Sequence, residues 1–471
     1  MLRDKRESLS EKGKGETFPW IGTALTKDWT KGSILGNLLS LSWPMMMMET
    51  LYVVSQIVEM IWIGRLGPSA IAGVGVANIV LFSVMSMDFG FIIGMRAMVA
   101  RHVGAGNIAG ANYIAGQAFV LSVIWGVLIT GAGVLLAEPI IRMFGVESQV
   151  ITEGTAYLRV MFAGWVTMEV LVMGLYVIQS SGDTMTPLKI EFSIRVVHVT
   201  LCPFLVKGLW IFPQLGVRGA ALSNVISQIL GAGLGLWLLF RGHTRLRLTL
   251  SHFRFSPNII WHILKIGVPA LVMNLQRSLG DIALTLFIVP FGTLAVAAHS
   301  LASRVDMFLS LPGMGLGSGA GVLVGQNLGA HQPERAERGA WLAVGFVEAF
   351  MVACSIVILL WAENIIGIFT TEASLIRLGS IFLRIATGSY LILALVFVLQ
   401  SCIAGAGDTI PNMIINIGMI WVVQLPLAFL LPCITDLGIF GVRWAIVAST
   451  FAGTIVYVTY FKWGRWKTKR V

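Results

Sequence analysis

Gly182-Asp183-Thr184, followed by Pro187, returns as Gly407-Asp408-Thr409, followed by Pro411. The offset is 225 residues, and the same offset relates Pro44 to Pro269, Gly67 to Gly292, and Gly104-Ala105 to Gly329-Ala330. One spacing held across four separated motifs marks a fused duplication, and an internal repeat fixes architecture before any single motif does. Each copy is too long for a solenoid unit and has the size of one half of a membrane transporter.

Hydrophobic residues make up 56% of the 471 and charged residues 12%, about half the ~25% charge of a soluble domain. Such a chain has lipid as its solvent, and a bilayer core takes about 20 helical residues. Twelve apolar segments of that length are expected, near 34–62, 69–95, 114–137, 156–178, 188–211, 216–240, 260–289, 294–322, 339–361, 375–402, 411–432 and 439–461. The expected fold is therefore all-α and integral to the membrane, with two parallel six-helix repeats around a central cleft. Its parts are a tail over 1–33, an N-terminal lobe over 34–240, a basic connector over 241–259, a C-terminal lobe over 260–461 and a basic tail over 462–471. Six spans per copy is an even number, so both copies enter from one side, about a pseudo-two-fold axis along the membrane normal.

Basic residues set the orientation. The tail to residue 33 holds seven, the connector adds Arg241, Arg245, Arg247 and Arg254, and the C-terminal tail adds Lys462, Arg465, Lys467, Lys469 and Arg470. The opposite loops hold few, among them Arg65 and Arg142. Both termini and the connector are accordingly expected in the cytoplasm, with the chain in the inner (plasma) membrane. The net charge of +10 reads as topology determinant and contact with anionic lipid, not as a nucleic-acid surface. The first 33 residues mix both charge signs and lack an apolar centre, so they read as a mobile tail, not a signal peptide, with Trp20 and Trp29 at the interface. Cys202, Cys354, Cys402 and Cys433 lie in or beside apolar segments without CxxC spacing and read as small buried hydrophobes, not as a disulfide framework or a metal site. No phosphate-binding loop of the Walker type is present, so uphill transport would draw on an ion gradient. No enzyme activity, metal or cofactor is expected beyond H⁺ or Na⁺ as coupling ion.

Further motifs recur in order. Ile63-Gly64-Arg65-Leu66-Gly67 pairs with Pro290-Phe291-Gly292, where glycine permits a tight reversal between spans. Val99-Ala100-Arg101-His102-Val103-Gly104-Ala105-Gly106-Asn107 pairs with Val324-Gly325-Gln326-Asn327-Leu328-Gly329-Ala330-His331, and Gly216-Val217-Arg218-Gly219 with Gly438-Ile439-Phe440-Gly441. Together, over residues 35 to 462, these resemble the multidrug and toxic compound extrusion (MATE) family, closer to its DinF-like than its NorM-like branch. The resemblance implies two lobes alternating between outward-open and inward-open states. It also implies multidrug efflux, the antiport of organic, often cationic, compounds against H⁺ or Na⁺.

An ionisable group inside a span is a functional hypothesis by default. Glu59 stands fifteen residues after Pro44, and a proline inside a span removes a hydrogen bond and bends the helix. Proline and an acid at this spacing are characteristic of the family, with aspartate the usual acid. The alternative for Glu59 is a carboxylate facing water at the outer mouth. Where the DinF-like branch carries asparagine and aspartate in the fifth span, this chain has His198 and Cys202; imidazole titrates near physiological pH, so His198 is a candidate second coupling group or a structural histidine. The acids of the NorM-like branch fall on Arg277 and Leu393, and Arg277 reads as a neutralising partner of Asp281 one turn on. Glu49, Asp88, Glu169, Arg195 and Glu348 also fall inside spans, Glu49 as a cation contact or a partner of Arg195. Met48, Gln56 and Cys202 join Glu49 as candidate cleft residues.

The expected function is a cation-coupled antiporter, H⁺ preferred over Na⁺, exporting small organic cations by alternating access. Glu59 and His198 would couple and Pro44 would bend. A monomer suffices, because one chain holds both lobes. Alternatives are a lipid-linked precursor flippase and a non-transporting membrane sensor with the same fold.

Overall fold

The computed structural model describes residues 27–469; most of the expected N-terminal tail, with Trp20, lies outside them. Within them the chain forms twelve helical spans. In order these are Ile34–Gly64, Pro68–Gly104, Ile108–Arg142, a fourth broken into Ser148–Ala163 and Trp165–Ser180, Met185–Lys207, and Val217–Arg241. The second copy runs Pro257–Ile288, Thr293–Gly329, Pro333–Gly367, Ala373–Gly405, an eleventh broken into Thr409–Ile417 and Leu425–Ile434, and Ile439–Trp463. By length and composition ten of these cross a membrane, and the fourth, bent by 55°, makes eleven. The fifth span falls short on composition because it carries Lys189, Glu191 and Arg195.

Local chemistry explains the breaks and turns. Gly164 serves as the shared cap between the halves of the fourth span, and Val225 packs where its side chain would be. In the eleventh span a π-helical stretch, Gly418–Gln424, precedes Pro426. The repeated Gly-Asp-Thr motif is a helix start. Asp183 Oδ1 accepts from the Thr186 amide at 3.0 Å and its Oδ2 from the Thr186 hydroxyl at 2.6 Å. The preceding Gly182 sits at φ +94° and its repeat mate Gly407 at φ +83°, a region that favours glycine.

All even-numbered loops and both ends of the described residues lie on one face, here the tail face; the opposite one is the far face. Toward the tail face the two halves are sealed backbone to backbone. A Cβ on Gly104 would lie 2.6 Å from the carbonyl carbon of Gln326, and one on Gly329 would lie 2.9 Å from that of Arg101. Gly104 and Gly329 are repeat mates, as are Arg101 and Gln326, so the seam obeys the pseudo-two-fold axis. Further along, a Cβ on Gly267 would lie 2.9 Å from the carbonyl carbon of Gly90, Gly315 packs on Met46 and Gly90 on Leu271. Close helix approach through glycine needs no inward-facing side chain. Arg96 adds a cross-seam bond to the Ser318 carbonyl at 3.1 Å, and Gln326 one to the Ser180 carbonyl at 3.1 Å.

Two features depart from expectation. The tail-face ends of the first and seventh spans each pack into the opposite half. Leu38 and Leu41 belong to a core with Ala320, Leu323 and Phe382, while Ile263 belongs to one with Met95, Val99 and Ile178. Trp29, expected at the membrane interface, is 3% exposed in the first of these cores. Its carbonyl accepts from Asn37 Nδ2 at 3.1 Å, its indole lies over Gly182, and Lys27 caps the ring at 4.4 Å. It closes the tail end of the seam.

Candidate functional site

Glu59 lies near the far-face end of the first span and is 2% exposed. Its Oε1 accepts a hydrogen bond from the Tyr157 hydroxyl of the fourth span at 2.8 Å. Its Oε2 faces His198 Nε2 of the fifth span at 3.7 Å, and neither atom has a hydrogen-bond partner among the described residues. The other imidazole nitrogen, Nδ1, is 2.8 Å from Ser55 Oγ, one turn before Glu59. Three spans thus converge on a buried row, Tyr157–Glu59–His198–Ser55. Buried polar atoms are nearly always paired, so two that face each other unpaired mark a centre poised to accept something. Closing the 3.7 Å gap to hydrogen-bond length with a proton held between carboxyl and imidazole would satisfy both.

The sequence pairing of Glu59 with His198 is therefore brought together in space. Tyr157 and Ser55 were missed: nothing in the pattern separates them from any other polar residue of an apolar span. Pro44 lies buried inside the unbroken first helix. Met48 is half-buried and accepts from Gln179 Nε2 at 3.4 Å, and Gln56 and Glu49 are also half-buried. Cys202 is corrected as a cleft residue: it is fully buried among Val206, Ala220 and Ala221 and offers no surface to a cleft, because its one-turn spacing from His198 turns it into the lobe core. Cys402 is buried too, whereas Cys433, near the far-face end of its span, is exposed. Arg195 is not the partner of Glu49. It bonds Glu191, one turn earlier, through Nε at 2.7 Å and lies over the Tyr52 ring at 5.0 Å. Among the described residues no ion pair joins Arg277 to Asp281; both are exposed on the seventh span.

The second half carries no acid in the position of Glu59; Leu284 stands there. It has instead a different charged cluster. Tyr390 donates to Asp306 Oδ1, Arg443 Nη2 lies 3.8 Å from Asp306 Oδ2, and Arg443 Nη1 is 3.2 Å from His299 Nδ1. Arg443 is 3% exposed and lies over Phe382 at 5.1 Å. Asp306, Arg443 and Glu191 all fall inside the expected spans, so the rule that singled out Glu59 also finds them. Asp88 and Glu169 form a further buried pair. Trp125 Nε1 donates to Asp88 at 2.7 Å and Trp165 Nε1 to Glu169 at 3.1 Å, and the two carboxyls neighbour each other.

The chain as a whole is similar to known proteins over most of its length. The MatE family model matches residues 44–204 and again 269–430. The probable multidrug resistance protein NorM of Thermotoga maritima is 26% identical over 440 residues, spanning 92% of this chain and 94% of that protein. The FAD transporter of Shewanella oneidensis is 25% identical over 78% of this chain and 82% of its own length. Among solved structures, a MATE in the bent conformation superposes with a TM-score of 0.86 at 24% identity, covering 94% of this chain and 97% of that one. A MOP superfamily transporter from Pyrococcus furiosus with a binding pocket of reverse polarity gives 0.85 at 24% identity over the same shares.

Proposed function

The chain belongs to the MatE family of membrane transporters, and from that premise we propose that it exports small organic cations in exchange for protons, with Glu59 and His198 holding the coupling proton. The observation that carries the reading is the pair of unpartnered, mutually facing atoms, Glu59 Oε2 and His198 Nε2, in a fully buried centre. A proton is the ligand that suits a 3.7 Å gap between a carboxyl and an imidazole. Sodium would want several oxygens at close range, and this centre offers one carboxylate, two hydroxyls and a nitrogen. Proton binding draws the fifth span toward the first; its release frees the first span to bend at Pro44. The seam of glycines at the tail face opens in the alternate state. The basic tail face lies in the cytoplasm of the cell membrane, a single chain is the working unit, and the cleft between residues 34–240 and 260–461 takes the substrate, with Glu49, Met48 and Gln56 along it.

The test is uptake of a fluorescent organic cation into inside-out vesicles, with pH and Na⁺ differences imposed separately. A pH difference should drive uptake by the unaltered protein and not by Glu59→Gln. Uptake driven by Na⁺ alone, or undiminished in Glu59→Gln, would overturn the proposal.

A further inference from the structure

The far face carries few basic residues, yet three of them line one cavity. It encloses about 580 Å³ between the end of the third span, the start of the fourth and the start of the sixth, and its walls include Glu138, Arg142, Ser148, Thr155, Arg159 and Arg218. Glu138 bridges Arg142 at 2.5 Å and Arg159 at 3.2 Å. A guanidinium has five donors, so one carboxylate leaves most of those on both arginines unused. Arg218 has no ion pair or hydrogen bond among the described residues. With all four charged the walls carry a surplus of two positive charges, and a concave site concentrates that field.

The backbone adds to it. The fourth span begins at Ser148 and the sixth at Val217. Among the described residues neither start has a capping side-chain bond; the fourth span has an acid, Glu147, at its cap position, whereas the sixth, capped by Gly216, has none there or in its first turn. Unclosed helix starts present free N–H groups and a partial positive charge, a ready anion site. In the sixth span a cation, Arg218, sits in the first turn, the end where a positive side chain is unfavourable; an anion between Arg218 and the helix start would relieve that. A further sign comes from Thr155. It lines the same cavity, is 5% exposed, and its hydroxyl has no hydrogen-bond partner among the described residues.

We propose that this cavity binds a phosphate-bearing anion, held by Arg218, Arg142 and Arg159 against the starts of the fourth and sixth spans. It is separate from the Glu59 centre, and the proposal does not rest on the transport reading. The volume falls in the range of small-ligand pockets, about 300–1,000 Å³, so a phosphate with an attached group fits. A lipid headgroup of the far-side leaflet and a free phosphate compound share this chemistry.

The experiment uses the full chain. Binding of radiolabelled pyrophosphate is measured in detergent, and retention of phosphatidylglycerol over phosphatidylcholine is measured from mixed nanodiscs by native mass spectrometry. Arg218→Gln should weaken whichever probe binds by about tenfold, the scale of one charge-assisted hydrogen bond. Glu138→Gln should strengthen it, because the competing carboxylate is gone. Saturable pyrophosphate binding assigns a free phosphate ligand; lipid retention without it assigns a headgroup. The opposite signs guard against a misfolded variant, since misfolding weakens both. The proposal falls if neither probe separates unaltered protein from Arg218→Gln, or if Glu138→Gln does not bind more tightly.

Discussion

Replacing Gly104 by alanine places a methyl group in the seam that closes the tail face. The new Cβ would stand 2.6 Å from the carbonyl carbon and 2.7 Å from the Cα of Gln326, with ordinary contact beginning at 3.4 Å. These are backbone atoms that cannot rotate away, and the Gln326 carbonyl oxygen lies nearer still, so the two halves must part by roughly 1–1.5 Å, and overpacking of this kind costs about 1–3 kcal/mol. That energy bears only on states in which the seam is shut, so it shifts the population of closed protein by about 5- to 150-fold. Nitroxides at Ala109 and Glu334, both exposed repeat mates beside the seam, report the separation by pulsed electron resonance. Gly104→Ala and Gly329→Ala should each add a longer distance at the expense of the short one. Gly75→Ala, where a Cβ meets nothing within 4 Å, should leave the distribution alone. An unchanged distribution in both seam variants would refute the idea that these glycines set the closed state.

Three further outcomes follow from individual contacts. Tyr157→Phe removes the only side-chain hydrogen bond to Glu59 among the described residues; a bond to a charged group is worth about 1.5–3 kcal/mol, so gradient-driven uptake should fall by about tenfold or more in a protein whose gel-filtration profile is normal. Gly182→Ala meets both φ +94° and the Trp29 indole, 2.5 Å from the new Cβ at Cδ1. Strain of about 1–3 kcal/mol should lower the Tm by several degrees in a thermal melt. Asp306→Ala leaves Arg443 buried without its carboxylate; breaking such a pair costs about 3–5 kcal/mol, the lower end applying because Asp306 is partly exposed. Arg443→Met in that background should recover part of the loss in the same melt.

Much of the architecture was legible because duplication leaves a metric in the chain. The offset that matched Gly104 with Gly329 also predicts which residues meet at the seam, since Gly104 packs on Gln326 and Gly329 on Arg101. The turn glycines were legible for the same reason: Gly67 and Gly292, or Gly182 and Gly407, hold positive φ in pairs. Glu59 and His198 were legible because charge in a span is costly wherever the helix faces. Tyr157 was not, since apolar residues surround every face of a membrane helix and no amphipathic stripe says which side is in. Trp29 was misplaced for a related reason. Interfacial and seam-closing tryptophans have the same flanks in sequence, and only the neighbouring Gly182 and Asn37 distinguish them.

The most direct test of the coupling account reverses the flow. Proteoliposomes are loaded with an organic cation and a lumenal pH dye, then diluted into cation-free buffer at equal pH. Outward movement of the cation should acidify the lumen with the unaltered protein, and Glu59→Gln should abolish the acidification. Cation efflux with no pH change in the unaltered protein, or equal acidification by Glu59→Gln, would contradict it.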